Sequence, residues 1–205
     1  LLAGTLGQLV PALQSQRLFR EALPGAEELT AHLKQTRGAD HPDTPASRAR
    51  LAECLRMSGD AERAAAELRD CLATHVRARG ADHAASMDAR QQLISLLLGT
   101  GGGAGALPLV HEQLALASAR KEAEPGHYFR AICFEAYALK SAGLLKPAAD
   151  RYREVLDTAP LPPAGHAGHE RMLDALRNAA DGLRALATER GEPFELPARV
   201  REFLK

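Results

Sequence analysis

The chain has 205 residues, of which 45% are apolar and 25% are charged, and these values are typical of a folded soluble protein rather than a disordered one. Its 26 basic and 26 acidic residues give a formal net charge of zero, which argues against a nucleic-acid-binding protein. No apolar run approaches the roughly 18–20 residues that span a bilayer, which argues against a membrane protein.

Residues of the same type recur along the chain every 42 positions. The phrase Gly38–His41 returns as Gly80–His83. Three further sets keep the same interval: Gly59, Gly101 and Gly143; Leu55, Leu97 and Leu139; Ala64, Ala106 and Ala148. A fixed period of 20–50 residues is typical of a repeat array in which each repeat is one small packing unit.

The first repeat, about 1–37, is the most divergent, and like the others it is predicted to form two helices. It keeps Leu13 and Ala22 of the frame, but Arg17 stands where the later repeats have the turn glycine. Pro11 falls inside its first helix, and we expect it to kink that helix or to restrict it to residues after Val10.

The second and third repeats, 38–79 and 80–122, have clearer boundaries. In the second, Thr44 is the expected N-cap, with Pro45 at the first helical position, and Gly59 and Gly80 end the two helices. In the third, we expect helices over about 86–98 and 106–121, with the glycine-rich stretch 99–105 as the turn between them.

The last third of the chain changes character after the fourth repeat. That repeat, 123–158, is predicted to have helices over about 128–142 and 145–158. The Pro/Gly-rich segment 159–168 is predicted to be a linker, and 169–205 a divergent capping pair with a long helix to Arg190, a stop at Gly191 and a short helix over 197–204.

The repeats resemble tetratricopeptide repeats (TPR), in particular the 42-residue form of kinesin light chains. The opening of the family pattern is matched by Gly38–Thr44, the Leu-Ala pair by Leu51 and Ala52, and the turn glycine by Gly59. The resemblance implies an all-α fold of about ten helices: a right-handed α-solenoid of antiparallel helix pairs, in which the first helix of each pair (helix A) lines a concave groove and the second (helix B) lies outside.

The groove implied by the resemblance is the candidate binding site. We expect the side chains that face it to come from the helix A of three repeats: Arg50, Glu53 and Arg56; Asp88, Gln91, Gln92 and Ser95; Arg130, Phe134, Tyr137 and Lys140, with Ala46, Ala49, Met57 and Cys133 on the same faces. Phe134 and Tyr137 form an apolar anchor beside basic side chains, which suits an acidic peptide with at least one large apolar residue.

Other candidate motifs are better explained as structure. The two Asp-His pairs, Asp40-His41 and Asp82-His83, recur in one frame and are predicted to shape the connections between repeats. The glycine-rich stretch 99–105 lacks the preceding strand and the following Gly-Lys-Ser/Thr of a phosphate loop. His166 and His169 are too few for a metal site, so no metal, cofactor or catalytic residue is predicted.

The function predicted from these features is that of a non-catalytic adaptor or scaffold that binds a protein segment in the groove. The alternative is a structural subunit or a regulatory TPR region of a larger protein or assembly, packed through its edges. Cys54 and Cys71 fall on apolar helix faces and are predicted to be buried free thiols; together with the absence of any C-x-x-C pair, this favours a reducing compartment, the cytoplasm.

Overall fold

The structure is a computed structural model that describes residues 2–161 and 169–204, and all regular structure in these ranges is helical. Ten helices are present in the described ranges. They are α1 Leu2–Ser15, α2 Phe19–Arg37, α3 Asp43–Ser58, α4 Ala61–Arg79, α5 Ala84–Gly99, α6 Gly103–Ser118, α7 Pro125–Ser141, α8 Leu145–Thr158, α9 His169–Arg190 and α10 Ala198–Phe203. The all-helical prediction is therefore confirmed.

The helices form two compact units, Leu1–Thr100 and Gly101–Lys205. In the first unit each helix packs on the next, from α1 to α5. In the second unit α6 packs on α7, α7 on α8, and α9 lies against both α7 and α8. From α1 to α5 and from α6 to α9, neighbouring helices in the sequence are therefore also neighbours in space.

The turn between the two helices of each repeat has a left-handed residue at the same position of the 42-residue frame. Gly59, Gly101 and Gly143 have φ angles of 94°, 77° and 79°. Arg17, one period earlier, has a φ of 62° and is the non-glycine residue with positive φ among the described residues. The first repeat thus makes the same turn without the residue that makes it easily.

A fully buried alanine occupies the same position of helix B in each of the four repeats. Ala22, Ala64, Ala106 and Ala148 are spaced 42 residues apart, and each is 0% exposed. A methyl group at this position lets helix B approach helix A closely, and a larger side chain there would overpack the pair.

The repeated Gly-Ala-Asp-His phrase builds the same connection twice. The Thr44 hydroxyl donates to the Gly38 carbonyl oxygen, and the Ser86 hydroxyl donates to the Gly80 carbonyl oxygen, both at 2.7 Å. In both copies the histidine Nδ1 accepts a backbone N–H two residues later, at 3.3 Å for His41 and 3.2 Å for His83. This confirms a structural role for the histidines of the Asp-His pairs.

Several local predictions were wrong. The helix α3 begins at Asp43, so Thr44 is inside it rather than at its N-cap. Of the two effects expected of Pro11, the restriction of the helix to residues after Val10 is wrong, because α1 runs from Leu2 to Ser15. Gly103 and Gly105 belong to α6, so the turn before this helix is shorter than the glycine-rich stretch suggested.

A glycine is needed at position 103 because α6 approaches the C-terminal end of α7 closely there. A Cβ atom added to Gly103 would lie 2.6 Å from the Ala142 nitrogen and 2.7 Å from the Ala138 carbonyl oxygen. Of the predicted linker 159–168, residues 162–168, His166 among them, lie outside the described part of the chain.

Candidate functional site

The first unit has a depression between two helices A, α3 and α5, with a volume of about 500 Å³. Its apolar part is formed by Ala52, Leu68 and Leu96. Its polar side chains are all predicted groove residues: Glu53 and Arg56 from α3, and Gln91, Gln92 and Ser95 from α5. The structure therefore brings these five predicted residues together.

Four of the five polar side chains of this depression form two hydrogen-bonded pairs. Arg56 donates two hydrogen bonds to the Glu53 carboxylate, from Nε at 2.8 Å and from an Nη at 2.7 Å. On the opposite side, the Gln91 amide donates to the Ser95 hydroxyl at 3.3 Å. Each pair lies within a single helix, α3 or α5, and contacts solvent, so a bound partner can replace either interaction at a low free-energy cost.

A second depression of about 280 Å³ lies between α1 and α3 of the same unit. The small residues Ala3, Gly4 and Gly7 of α1 form one side, and the exposed Arg50 of α3 belongs to the other. The Gln14 amide donates to the Arg50 carbonyl oxygen at 3.0 Å, which fixes the backbone from which this arginine extends.

The predicted residues of the second unit lie along α7. Tyr137 is 48% exposed, and Phe134 and Arg130 are half-buried. The Lys140 Nζ is 2.6 Å from a carboxylate oxygen of Glu189 on α9. These side chains present an aromatic ring and a cation on one helix.

Cys133 does not belong to this surface, contrary to the prediction. It is 6% exposed, and its thiol donates to the Ala175 carbonyl oxygen at 3.3 Å, within the core between α7 and α9. Burial raises the pKa of this thiol to about 12. Cys54 and Cys71 are also buried free thiols, as predicted.

The positive charge of the predicted residues is smaller than their sequence count suggests. Arg56 is neutralised by Glu53 on its own helix, and Lys140 by Glu189. Arg50 and Arg130 remain, opposed by the exposed Asp88 of α5, which is outside the lining of the α3–α5 depression. The intrahelical pairing was readable from the Glu53–Arg56 spacing of three residues, whereas the pairing of Lys140 depends on how α9 packs.

The apolar lining and the small residues of α1 were missed by sequence reasoning. Leu68 is on the helix-B stripe, so its frame position marked it only as core. The described residues include no group of three or more His, Cys, Asp or Glu side chains suited to a metal ion. None of the described helices combines the length and apolar character needed to cross a membrane.

Comparison with known proteins identifies the fold. No family model matches the chain, and no curated protein sequence matches it. A solved structure of a kinesin-light-chain-type protein from Podosopora anserina, built from nearly identical TPR-like repeats, is similar over 97% of this chain and 93% of its own, with 19% identity and a TM-score of 0.69. BtubC (BKLC) from P. vanneervenii is similar over 96% of this chain and 67% of its own, with 14% identity and a TM-score of 0.60.

Proposed function

We propose that this chain, which has the fold of TPR-like helical repeats, is a non-catalytic scaffold that binds a segment of a partner protein along the exposed faces of its helices A. The observation that carries the proposal is the depression between α3 and α5. It combines an apolar floor with amide, hydroxyl and paired charged groups that can each exchange their partner for a ligand. The division into four repeats over 1–158 and a C-terminal pair over 169–205 belongs to the same proposal.

The partner segment is proposed to be acidic and to carry one large apolar side chain. The charge preference rests on Arg50 in the first unit and on Arg130 in the second, neither of which forms an ion pair with another described residue. Arg56 adds to it when an incoming carboxylate takes the place of Glu53. Exposed ion pairs are worth only about 0–1 kcal/mol, so this exchange costs little. Tyr137 and the Ala52–Leu68–Leu96 floor provide apolar contacts, one in each unit.

The test uses defined peptides and fluorescence polarisation. The probe is a fluorescein-labelled 12-residue peptide of Glu and Asp residues with a central Phe; one comparison peptide has Gln and Asn in place of the acids, and another has Ala in place of Phe. We expect the acidic Phe peptide to bind most tightly, and its affinity to fall with rising salt as electrostatic attraction is screened.

Charge reversal then locates the surface. Arg50→Glu combined with Arg130→Glu is expected to weaken binding at least tenfold, which corresponds to about 1.4 kcal/mol. The matched control is Arg69→Glu with Lys146→Glu, which changes the net charge equally by altering one exposed cation on α4 and one on α8. Glu53→Gln should strengthen binding because it frees Arg56.

The two charge reversals made singly show which unit binds the peptide. Equal losses in the groove variant and the control variant would mean that only net charge matters, and the helix-A site would be wrong. Binding that is unchanged in both variants, with the helical circular dichroism intact, would also exclude the site.

A further inference from the structure

One face of α1 is exposed where the same face of each later helix A is buried. Leu9 is 50% exposed, whereas the residues one, two and three periods later, Leu51, Leu93 and Glu135, are 4%, 1% and 5% exposed. The positions four residues before and three residues after Leu9 follow the same rule. Thr5 and Ala12 are exposed, and the equivalent residues are buried: Ser47, Ala89 and Ala131 for the first, and Cys54, Leu96 and Ala138 for the second.

In the later repeats helix B of the preceding repeat packs on helix A, and at α3 this face also contacts the preceding helix A, since the Gln14 amide of α1 donates to the Cys54 sulfur at 3.3 Å. The helix α2 packs on α3, α4 on α5, and α6 on α7. At α7 the covering contacts are known in detail: His111 Nε2 of α6 is 3.1 Å from Glu135 Oε1, and Gly103 meets the backbone at Ala138. Since Glu135 and Ala138 are the equivalents of Leu9 and Ala12, these contacts describe what an occupant of the α1 face must provide.

The C-terminal end of the second unit has the opposite character. Val200 of α10 is fully buried, and Phe194, Leu196 and Phe203 pack against the core of this unit. The exposed positions of α9 are mainly charged: Glu170, Arg171, Asp174, Arg177, Asp181, Arg184, Glu189 and Arg190. A terminal repeat of an array normally has a polar outer face of this kind. The exposed face of α1, with Leu9 at its centre, lacks such a charged surface.

We propose that Thr5, Leu9 and Ala12 of α1 form a docking edge for a further helix pair of the same repeat type, continuous with this array. Its helix B is inferred to lie along α1 as α6 lies along α7, with a small residue opposite Ala12. These positions differ from Ala3, Gly4 and Gly7, which line the α1–α3 depression. The edge and the proposed peptide site can therefore be tested independently.

A second copy of the chain fits this edge less well. The charged surface of α9 offers no apolar stripe to cover Leu9. Pairing of two α1 helices would use a helix of 14 residues, which is about 21 Å long and about 10 Å wide, so it would bury only about 200 Å² on each partner. Stable interfaces bury about 800 Å² on each partner. A covalently connected pair needs less area, because the connection keeps its effective concentration high.

The experiment adds a helix pair that this chain already contains. A copy of residues 38–84 is fused directly before the first residue, so that the first residue follows Ala84 as Ala85 does in the natural sequence. The 42-residue frame is thereby continued. We expect a thermal midpoint several degrees higher than that of the original chain, and slower amide hydrogen exchange in α1.

The variant Leu9→Asp makes the test specific to the edge. In the original chain it should change the thermal midpoint little, because Leu9 is half exposed. In the fusion protein it should remove most of the stabilisation, because the carboxylate would be buried. A second variant changes the other side of the contact: Ala61→Glu in the added copy alone. Ala61 precedes Gly103 by one period and would face Ala12, so this variant should also remove stabilisation from the fusion protein.

The proposal would be overturned if the fusion protein showed unchanged exchange in α1, or if Leu9→Asp had the same small effect with and without the added pair. Sedimentation of the original chain tests the other possible occupant of the edge, a second copy of the chain. A concentration-dependent dimer that Leu9→Asp dissociates would assign the edge to a second copy instead, whereas a monomer supports the proposal.

Discussion

Replacing Gly103 by alanine should destabilise the second unit, although alanine is normally the better residue in a helix. The added Cβ would lie 2.6 Å from both the Ala142 nitrogen and the Ser141 Cβ, and 2.7 Å from the Ala138 carbonyl oxygen. Two of these atoms are backbone atoms, one of α7 and one of the residue directly after it, and they cannot turn away as a flexible side chain would. The helices α6 and α7 would have to separate by roughly 0.8–1 Å to restore ordinary contact distances, and a gap of 0.5–1 Å already removes a quarter to a half of the dispersion attraction between facing atoms.

The expected magnitude follows from two opposing terms. Overpacking of a close contact costs about 1–3 kcal/mol. Replacing glycine by alanine inside a helix gains about 0.5–1 kcal/mol, and less at Gly103 because it is the first residue of α6. The net loss should therefore be about 1–2 kcal/mol. For a chain of this size the corresponding fall in the thermal midpoint is about 2–4 °C per kcal/mol.

Gly105 provides the matched control on the same helix. It is exposed, and nothing lies within 4 Å of a Cβ added there. Gly105→Ala should therefore stabilise the protein by up to about 1 kcal/mol through the backbone alone. The two substitutions are chemically identical and two residues apart, so an opposite sign can arise only from the contact with α7.

The assay can separate the two units. The chain has three tyrosines and no tryptophan, and Tyr128, Tyr137 and Tyr152 all belong to the second unit. Tyrosine fluorescence therefore follows unfolding of the second unit, while circular dichroism at 222 nm follows both, as is appropriate for a repeat protein whose unfolding need not be two-state. The close approach of α6 and α7 would be refuted if Gly103→Ala stabilised the second unit as much as Gly105→Ala does.

Two further predictions concern the repeat turn and the buried thiols. Arg17 and Gly59 have φ angles of 62° and 94°, and the space around Gly59 is open, so only the backbone conformation decides the effect of a substitution there. Arg17→Gly should stabilise the protein by up to about 1 kcal/mol in denaturant unfolding, whereas Gly59→Ala should cost about 1–2 kcal/mol. Changes of the same sign in the two variants would contradict this account. Burial raises the pKa of the Cys71 thiol to about 11 and that of the Cys133 thiol to about 12. Above about pH 9 the unfolded chain therefore loses thiol protons that the folded chain keeps. The free energy of unfolding should then fall by up to about 1.4 kcal/mol per pH unit for each thiol. The Cys71→Ala/Cys133→Ala double variant should lose less stability between pH 8 and pH 10 than the original chain, and identical losses would contradict the prediction.

The features that could be predicted from the sequence are those fixed by the backbone. The 42-residue frame placed Arg17 at the left-handed turn position, and it located the buried alanines, because both depend on how one helix turns back on the next. Gly191 lies outside the 42-residue frame, but its prediction as a helix stop rests on the same backbone geometry, and its φ is 65° in the structure. The 42-residue period of the sequence therefore predicts where the turns and the close helix contacts recur.

The features that could not be predicted depend on contacts between elements far apart in the sequence. Cys133 was assigned to the helix-A surface because it is equivalent in the frame to Ala49 and Gln91, but α9 covers it. Lys140 was counted as a free charge because Glu189 is 49 residues away, outside the 42-residue frame. In both cases the cause is the C-terminal pair, which is out of phase with the other repeats, so its contacts with α7 have no equivalent earlier in the chain.

A buried ion pair between the helices of one repeat offers a final test of how far the frame constrains the core. Glu135 of α7 occupies the position that Leu51 and Leu93 hold in the two preceding repeats, and its side chain is 6% exposed. Its carboxylate is 2.8 Å from the Nε of Arg151 on α8 and 3.1 Å from the Nε2 of His111 on α6.

In the second repeat the helix-B position of this pair carries the opposite charge. Glu67 of α4 precedes Arg151 by two periods and is 3.4 Å from Arg48 of α3, which lies three residues before the equivalent of Glu135 and also pairs with Asp70. The same position on helix B therefore carries a negative charge in one repeat and a positive charge in the other. A helix B paired with the wrong helix A would bring like charges together, so this arrangement favours the native pairing even if it adds little stability.

We therefore expect Glu135→Leu to be tolerated. Buried ion pairs can often be replaced by apolar residues without loss, and a leucine already fits this position in two repeats. Arg151 would not be left uncompensated, because it is 37% exposed and also lies 2.7 Å from Glu154. Glu135→Leu should change the free energy of unfolding of the second unit by between zero and a gain of about 2 kcal/mol, whereas Glu135→Gln, which loses the charge without adding apolar surface, should cost about 1–2 kcal/mol. A loss of 3 kcal/mol or more in the leucine variant, measured by tyrosine fluorescence in denaturant, would show that the three-helix ion cluster stabilises this unit in its own right.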